Sequence, residues 1–155
     1  MRRLILGVAA ACAIVALTAS GAPAKNGNGV MCVLHARLTA TNETTGSTST
    51  AKGHTQIKVR ANGTIEFKTH ILNQNGETFV AGHIHQAPVG VAGPIVVPLF
   101  VSPTPATNAR HIRQSGVATP NAGTTGADLC ANPGAYYVNY HTTAFTGGAI
   151  RGQLH

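Results

Sequence analysis

Alternation with a period of two runs through this chain from Val30 almost to its last residue, and it confines the fold to sheets. In Val30 to Thr39, Cys32, Leu34, Ala36 and Leu38 share one face, and Val33, His35, Arg37 and Thr39 the other. That is the pattern of a half-buried strand. Thr41 to Gly53 is a Thr/Ser/Gly stretch without a large apolar residue and reads as a loop. His54 to Arg60 and Thr64 to Leu72 alternate again, separated by Ala61-Asn62-Gly63. An Asn-Gly pair between alternating runs is the strongest short hairpin signal. Phe79 to His85, Pro94 to Val101, Ala109 to Val117, Ala135 to Thr142 and Ala149 to Leu154 bring the expected strands to eight. No helical period follows the first segment, so no helix is expected there. Short strands at this spacing predict an all-β sandwich or closed barrel.

The first segment reads as an address rather than as fold. Met1-Arg2-Arg3 is basic, Leu4 to Thr18 is apolar or small throughout, and Ala22-Pro23-Ala24 presents small residues at a cleavage position. Together they form a secretory signal, and the run is short of the roughly 20 residues that an anchor needs. Residues 1–24 are therefore expected to be removed, residues 25–30 to form a flexible start, and residues 31–155 to form one domain. Export places the chain in the periplasm or cell envelope, or outside the cell, with no transmembrane anchor. Removing 24 of the 155 residues leaves 131, with nine bases against four acids. Cys12 leaves with the signal. Cys32 and Cys130 remain, an even pair in an oxidising compartment, which reads as a disulfide. Two buried free thiols are the alternative.

Four acids also narrow the chemistry. Glu43, Glu66, Glu77 and Asp128 are scattered, whereas glycosidase pairs, two-metal phosphoryl-transfer centres and calcium loops need clustered carboxylates. No phosphate-binding loop, dinucleotide fingerprint, H-E-x-x-H or G-x-S-x-G occurs. The bases are dispersed along the sequence and aromatic residues are few, so specific nucleic-acid binding is not expected. An unknown protein or an acidic envelope polymer fits the charge better.

Against four acids stand eight histidines. His35, His70 and His111 fall on polar strand faces, His54 at a strand edge, and His155 is the last residue. His83-Ile84-His85 is different. In a strand, residues i and i+2 point to the same side, about 6.5–7 Å apart at the backbone. His141 ends another strand in Tyr137-Val138-Asn139-Tyr140-His141. If the two strands are neighbours, His83, His85 and His141 converge. Three neutral imidazoles suit copper or zinc and do not suit magnesium or calcium. The bland alternative is that they hydrogen-bond backbone groups at a strand end. Asn139 is a candidate partner for His141. Arg151, between Ile150 and Gly152, either steers an anion toward the histidines or bonds loop carbonyls. Tyr136, Tyr137 and Tyr140 read as packing.

Two longer motifs carry a resemblance. Gly82-His83-Ile84-His85-Gln86-Ala87-Pro88, followed by Gly90 and Gly93-Pro94-Ile95-Val96-Val97-Pro98-Leu99, resembles the central signature of the CHRD (chordin) domain, which secreted bacterial proteins also carry. Asn132 to Thr142, followed by Gly147-Gly148-Ala149-Ile150-Arg151-Gly152-Gln153-Leu154, is similar to its closing signature. The resemblance implies an immunoglobulin-like, Greek-key β-sandwich distantly similar to copper/zinc superoxide dismutases. Those enzymes also set an H-x-H on one strand and a further ligand late in the chain, which places His83, His85 and His141 as metal ligands. Their zinc half needs further His and an Asp after the H-x-H, and Gln86 to Arg110 holds no His, Asp or Glu. The function expected is a binding module with one copper or zinc ion. A copper redox enzyme acting on superoxide and a purely structural or adhesive envelope domain are the alternatives.

Overall fold

The computed structural model describes residues 29–101 and 107–155. The leader segment and its cleavage point lie outside the described residues. Eight antiparallel strands form one sheet: β1 (Val30–Thr39), β2 (Lys52–Arg60), β3 (Ile65–Leu72), β4 (Phe79–Gln86), β5 (Ile95–Val101), β6 (His111–Ala118), β7 (Tyr136–Thr142) and β8 (Ile150–Gln153). The order across it is β5-β4-β7-β8-β1-β2-β3-β6. The outer strands approach each other where Asn121, just past β6, donates through its backbone N–H to the Val96 carbonyl and through Nδ2 to the Ile95 carbonyl. The sheet is therefore nearly closed.

Alternation explains the register. Leu34, Ala36 and Leu38 of β1, Ile57 and Val59 of β2, and Ile65, Phe67 and Ile71 of β3 face a core shared with Ile84, Val97, Ile112, Val138, Tyr140 and Ile150. Burying such side chains supplies about 1.5–3 kcal/mol each. The core also holds a polar chain. Tyr140 Oη donates to Thr69 Oγ1 at 2.9 Å, and Thr69 meets Thr55 Oγ1 at 2.8 Å. These hydroxyls satisfy one another, so their burial costs little, and they tie β7 to β2 and β3. The Asn62-Gly63 turn forms as expected, with Gly63 at a positive φ of 85°. Arg60 N–H donates to the Thr64 carbonyl at 2.8 Å.

One expectation fails. Gly126–Ala131 is an α-helix, α1, where no helical period is visible. At six residues it is too short to show one, and its signal is instead a capping box. Thr125 accepts from the Asp128 N–H, and the Asp128 carboxylate accepts from the Thr125 N–H. Cys130 lies in this helix. It is joined to Cys32 of β1 by a disulfide, with a Cα–Cα distance of 5.9 Å. No helix among the described residues is long and apolar enough to cross a membrane.

The Ser/Thr-rich connection after β1 is fastened down. Thr45 Oγ1 donates to the Gly148 carbonyl, Ser47 Oγ to the Ala149 carbonyl and Ser49 Oγ to Glu77 Oε1. These bonds hold Glu43 against the β7–β8 connection.

Candidate metal centre

β4 and β7 are hydrogen-bonded neighbours, with Ala81 opposite His141, His83 opposite Asn139 and His85 opposite Tyr137. Residues paired across strands share a face. His83, His85, Tyr137, Asn139 and His141 therefore project together, away from the face that carries Ile84 into the core. Loops fold over this second face, and every residue of β7 is buried.

The three imidazoles converge. One potential ligand nitrogen from each of His83, His85 and His141 lies within 4.8 Å of the other two. His83 Nδ1 stands 3.2 Å from His141 Nε2. Two rings are oriented by the backbone. His85 Nδ1–H donates to the Gly93 carbonyl at 2.9 Å, and His141 Nδ1–H donates to the Thr146 carbonyl at 2.9 Å. Each bond fixes the tautomer and leaves Nε2 as a lone-pair donor, the arrangement that metal-binding histidines use. His85 Nε2 is buried and has no hydrogen-bond partner. Such an orphaned atom is costly unless something binds it.

Electrostatics keep the cluster neutral. Burial, with His141 and His85 nearby, pushes the His83 pKa down to about 4. Burial also lowers His85 and His141, against the opposing pull of their carbonyl partners. Neutral imidazole is the form that binds a metal.

Tyr137 has a part beyond packing. Its ring stacks on His85 at 4.9 Å with planes 10° apart, and its hydroxyl accepts from the Gly93 N–H at 3.1 Å. The position was legible: Tyr137 lies two and four residues before Asn139 and His141, hence on their face. Gly93 cannot carry a side chain here, because a Cβ would fall 2.0 Å from the Gln86 carbonyl oxygen.

Arg151 lies on the far side of Tyr137, its guanidinium carbon 3.3 Å from the ring centroid. Its Nη1 donates to the Val91 carbonyl at 2.8 Å and its Nη2 to the Pro88 carbonyl at 3.0 Å. The guanidinium thus pins the loop that carries Gly93. Asn139 does not reach His141, whose Nδ1 is taken by Thr146. Its Nδ2 and the Glu43 carboxylate instead crowd Gly148, each 2.7 Å from where a Cβ would stand. No sequence signal marks Glu43 or the two carbonyls, because the fold alone brings them here.

Glu43 lines a cavity of about 270 Å³ with Arg151, Val89 and Gln153. Burial holds its pKa up at about 7, against the Arg151 charge and the Thr44 N–H, which pull it down. Between about 4.5 and 7 the folded chain keeps a proton that the unfolded chain has lost. Stability from this group is thus full below the lower value and is lost as pH rises through the higher one. The depressed histidines act with the opposite sign, so the difference between two chains is the cleaner measure. Denaturant midpoints of the wild type should fall relative to Glu43→Gln between about pH 5 and pH 7.5. Parallel midpoints would remove the buried acid from the account.

An all-β module whose two adjacent strands present three neutral imidazoles behind a loop is the class that fold and site define. The CHRD domain family model matches residues 34–154, and the chain belongs to that family. No curated protein and no solved structure matched the chain.

Proposed function

We propose that the chain is an exported CHRD-type binding module that holds one copper or zinc ion through His83, His85 and His141. The observation that carries this reading is the convergence of three ligand nitrogens within 4.8 Å, two of them oriented by carbonyls. Donor chemistry supports copper or zinc, since no carboxylate joins the three imidazoles. When bound, such an ion supplies an acceptor for a partner's donor group. The reading takes residues 1–24 as a removed signal, which the paired Cys32 and Cys130 support. It takes the nearly closed sheet as the immunoglobulin-like sandwich that the family implies.

The superoxide-directed reading finds less support. Arg151, the residue it needs for anion steering, has both terminal nitrogens on loop carbonyls and its plane over Tyr137. Calorimetric titration of the purified chain with Cu²⁺ and with Zn²⁺ tests the proposal. One saturable ion per chain for either metal is expected, without superoxide turnover. Absence of a saturable site for both metals overturns the metal reading, and turnover by the copper-loaded chain overturns the binding-module reading.

A further inference from the structure

Six of the bases that are dispersed in sequence, Arg37, Lys52, Lys58, Arg60, Lys68 and Arg113, gather in space. The strands β1, β2, β3 and β6 turn one face to the core and the other outward. Register sets the outward residues in rows: His35, Gln56, Lys68 and Ser115; Arg37, His54, His70 and Arg113; Thr39, Lys52, Leu72 and His111. Lys58 and Arg60 extend the same face on β2. Glu66 is the one acid on it, and Arg60 and Lys58 already engage its carboxylate, at 2.8 and 3.9 Å. Among the described residues no ion pair joins Arg37, Lys52, Lys68 or Arg113 to an acid. Arg37, Lys52, Lys68 and Arg113 are exposed, and a shallow hollow of about 280 Å³ lies between Lys52, His54, His70, His111 and Arg113. Neighbouring strands lie about 4.8 Å apart, so the rows form a grid of cations roughly 14 Å across.

We infer that this face binds an anionic polysaccharide through Arg37, Lys52, Lys68 and Arg113, which form no ion pair with an acid among the described residues. This surface is independent of the histidine centre, which faces outward from β4 and β7. The chemistry of the face selects among polyanions. No Phe or Tyr stands on it, so bases would find only imidazole and guanidinium planes to stack on, without the larger rings that single-strand binders use. It presents no helix or ribbon that could enter a groove. Its apolar residues are Val30, Val33, Leu72 and Val117, too few to insert into a bilayer. A sulfated or carboxylated sugar chain needs neither stacking nor insertion, only spaced charge.

The histidines give the face a second property. His35, His54, His70 and His111 stand among Arg37 on β1, Lys52 on β2, Lys68 on β3 and Arg113 on β6, with His155 beside His35. His54 is held below its ordinary pKa by burial and by His35, His155 and His70. Acidification adds charge at His54, within the grid of Lys and Arg, so binding tightens as pH falls.

The test measures binding of the purified chain to dextran sulfate by calorimetry, with uncharged dextran as the blank. Lys52→Gln/Lys68→Gln/Arg113→Gln should weaken it about tenfold and reduce its salt dependence. A second variant, Val89→Glu/Ala131→Glu/Ala144→Glu, changes net charge equally at exposed positions away from this face. It should bind as the wild type does. Equal weakening by both variants, or by neither, overturns the proposal. So does tighter binding to a single-stranded oligonucleotide of about 20 nucleotides or to vesicles with about 30% anionic lipid. Circular dichroism and thermal melting of the glutamine variant check that it is folded.

Discussion

His83→Ala/His85→Ala is expected to abolish the one-to-one Cu²⁺ or Zn²⁺ titration, weakening binding by more than about a hundredfold. Loss of a hydrogen bond behind a ligand typically costs 10- to 100-fold in affinity, and here two ligands go. The remaining imidazole, His141, keeps its bond to Thr146 but has no companion. Folding should survive. Ile84, the core residue of this tripeptide, is untouched, and the side-chain bonds given up are the one from His85 Nδ1 to the Gly93 carbonyl and the His83–His141 contact, both outside the apolar core. Thermal melting separates the two effects. An ion at a hundred times its Kd stabilises the wild type by about 2.7 kcal/mol. The double variant should melt at one temperature with and without metal. A metal-dependent shift in the variant equal to that of the wild type would place the ion elsewhere.

Much of this architecture could be read before any coordinates. The strand boundaries follow from alternation because each strand has one face in the core, so a shift of one residue would expose Leu34 or Ile57. The convergence of His83, His85 and His141 was readable only conditionally. Period two sets the histidines of one strand on one side, but nothing local says that β4 lies beside β7. The crossover through β5 and β6 decides that, and its contacts are long-range. Helix α1 escaped because six residues cannot show a 3.6-residue period, although Thr125 and Asp128 mark its start. The cationic face escaped for a different reason. Arg37, Lys52, Lys68 and Arg113 are far apart in sequence and meet only through strand register. Arg151 shows the limit most clearly. A residue between Ile150 and Gly152 can face either way, and only the position of the Pro88–Gly93 loop decides what its guanidinium meets.

Removing the disulfide, by Cys32→Ser/Cys130→Ser, is expected to cost about 4–5 kcal/mol and to lower the melting temperature by about 15 °C. The bond joins residues 98 apart in sequence, and closing so long a loop removes much of the freedom of the unfolded chain. The fold also depends on it locally. Helices as short as α1 are unstable alone in water. The capping box at Thr125 and the burial of Leu129 hold it from one side, and Cys130 clamps it to β1 from the other. Gly126 packs so tightly that a Cβ there would lie 2.6 Å from Val59 Cγ1. Freed from Cys32, the stretch from α1 to Pro133–Ala135 loses its hold just before β7, the strand that delivers Tyr137 and His141. Denaturant titration of the variant beside the wild type, with and without reductant, measures the effect. Reductant should move the wild type to the midpoint of the variant and leave the variant unchanged. A difference below about 1 kcal/mol would mean that sheet pairing alone holds α1 in place. Below its own midpoint the variant should still bind one metal ion, because the disulfide acts on the stability of the fold and His83, His85 and His141 form the site within it.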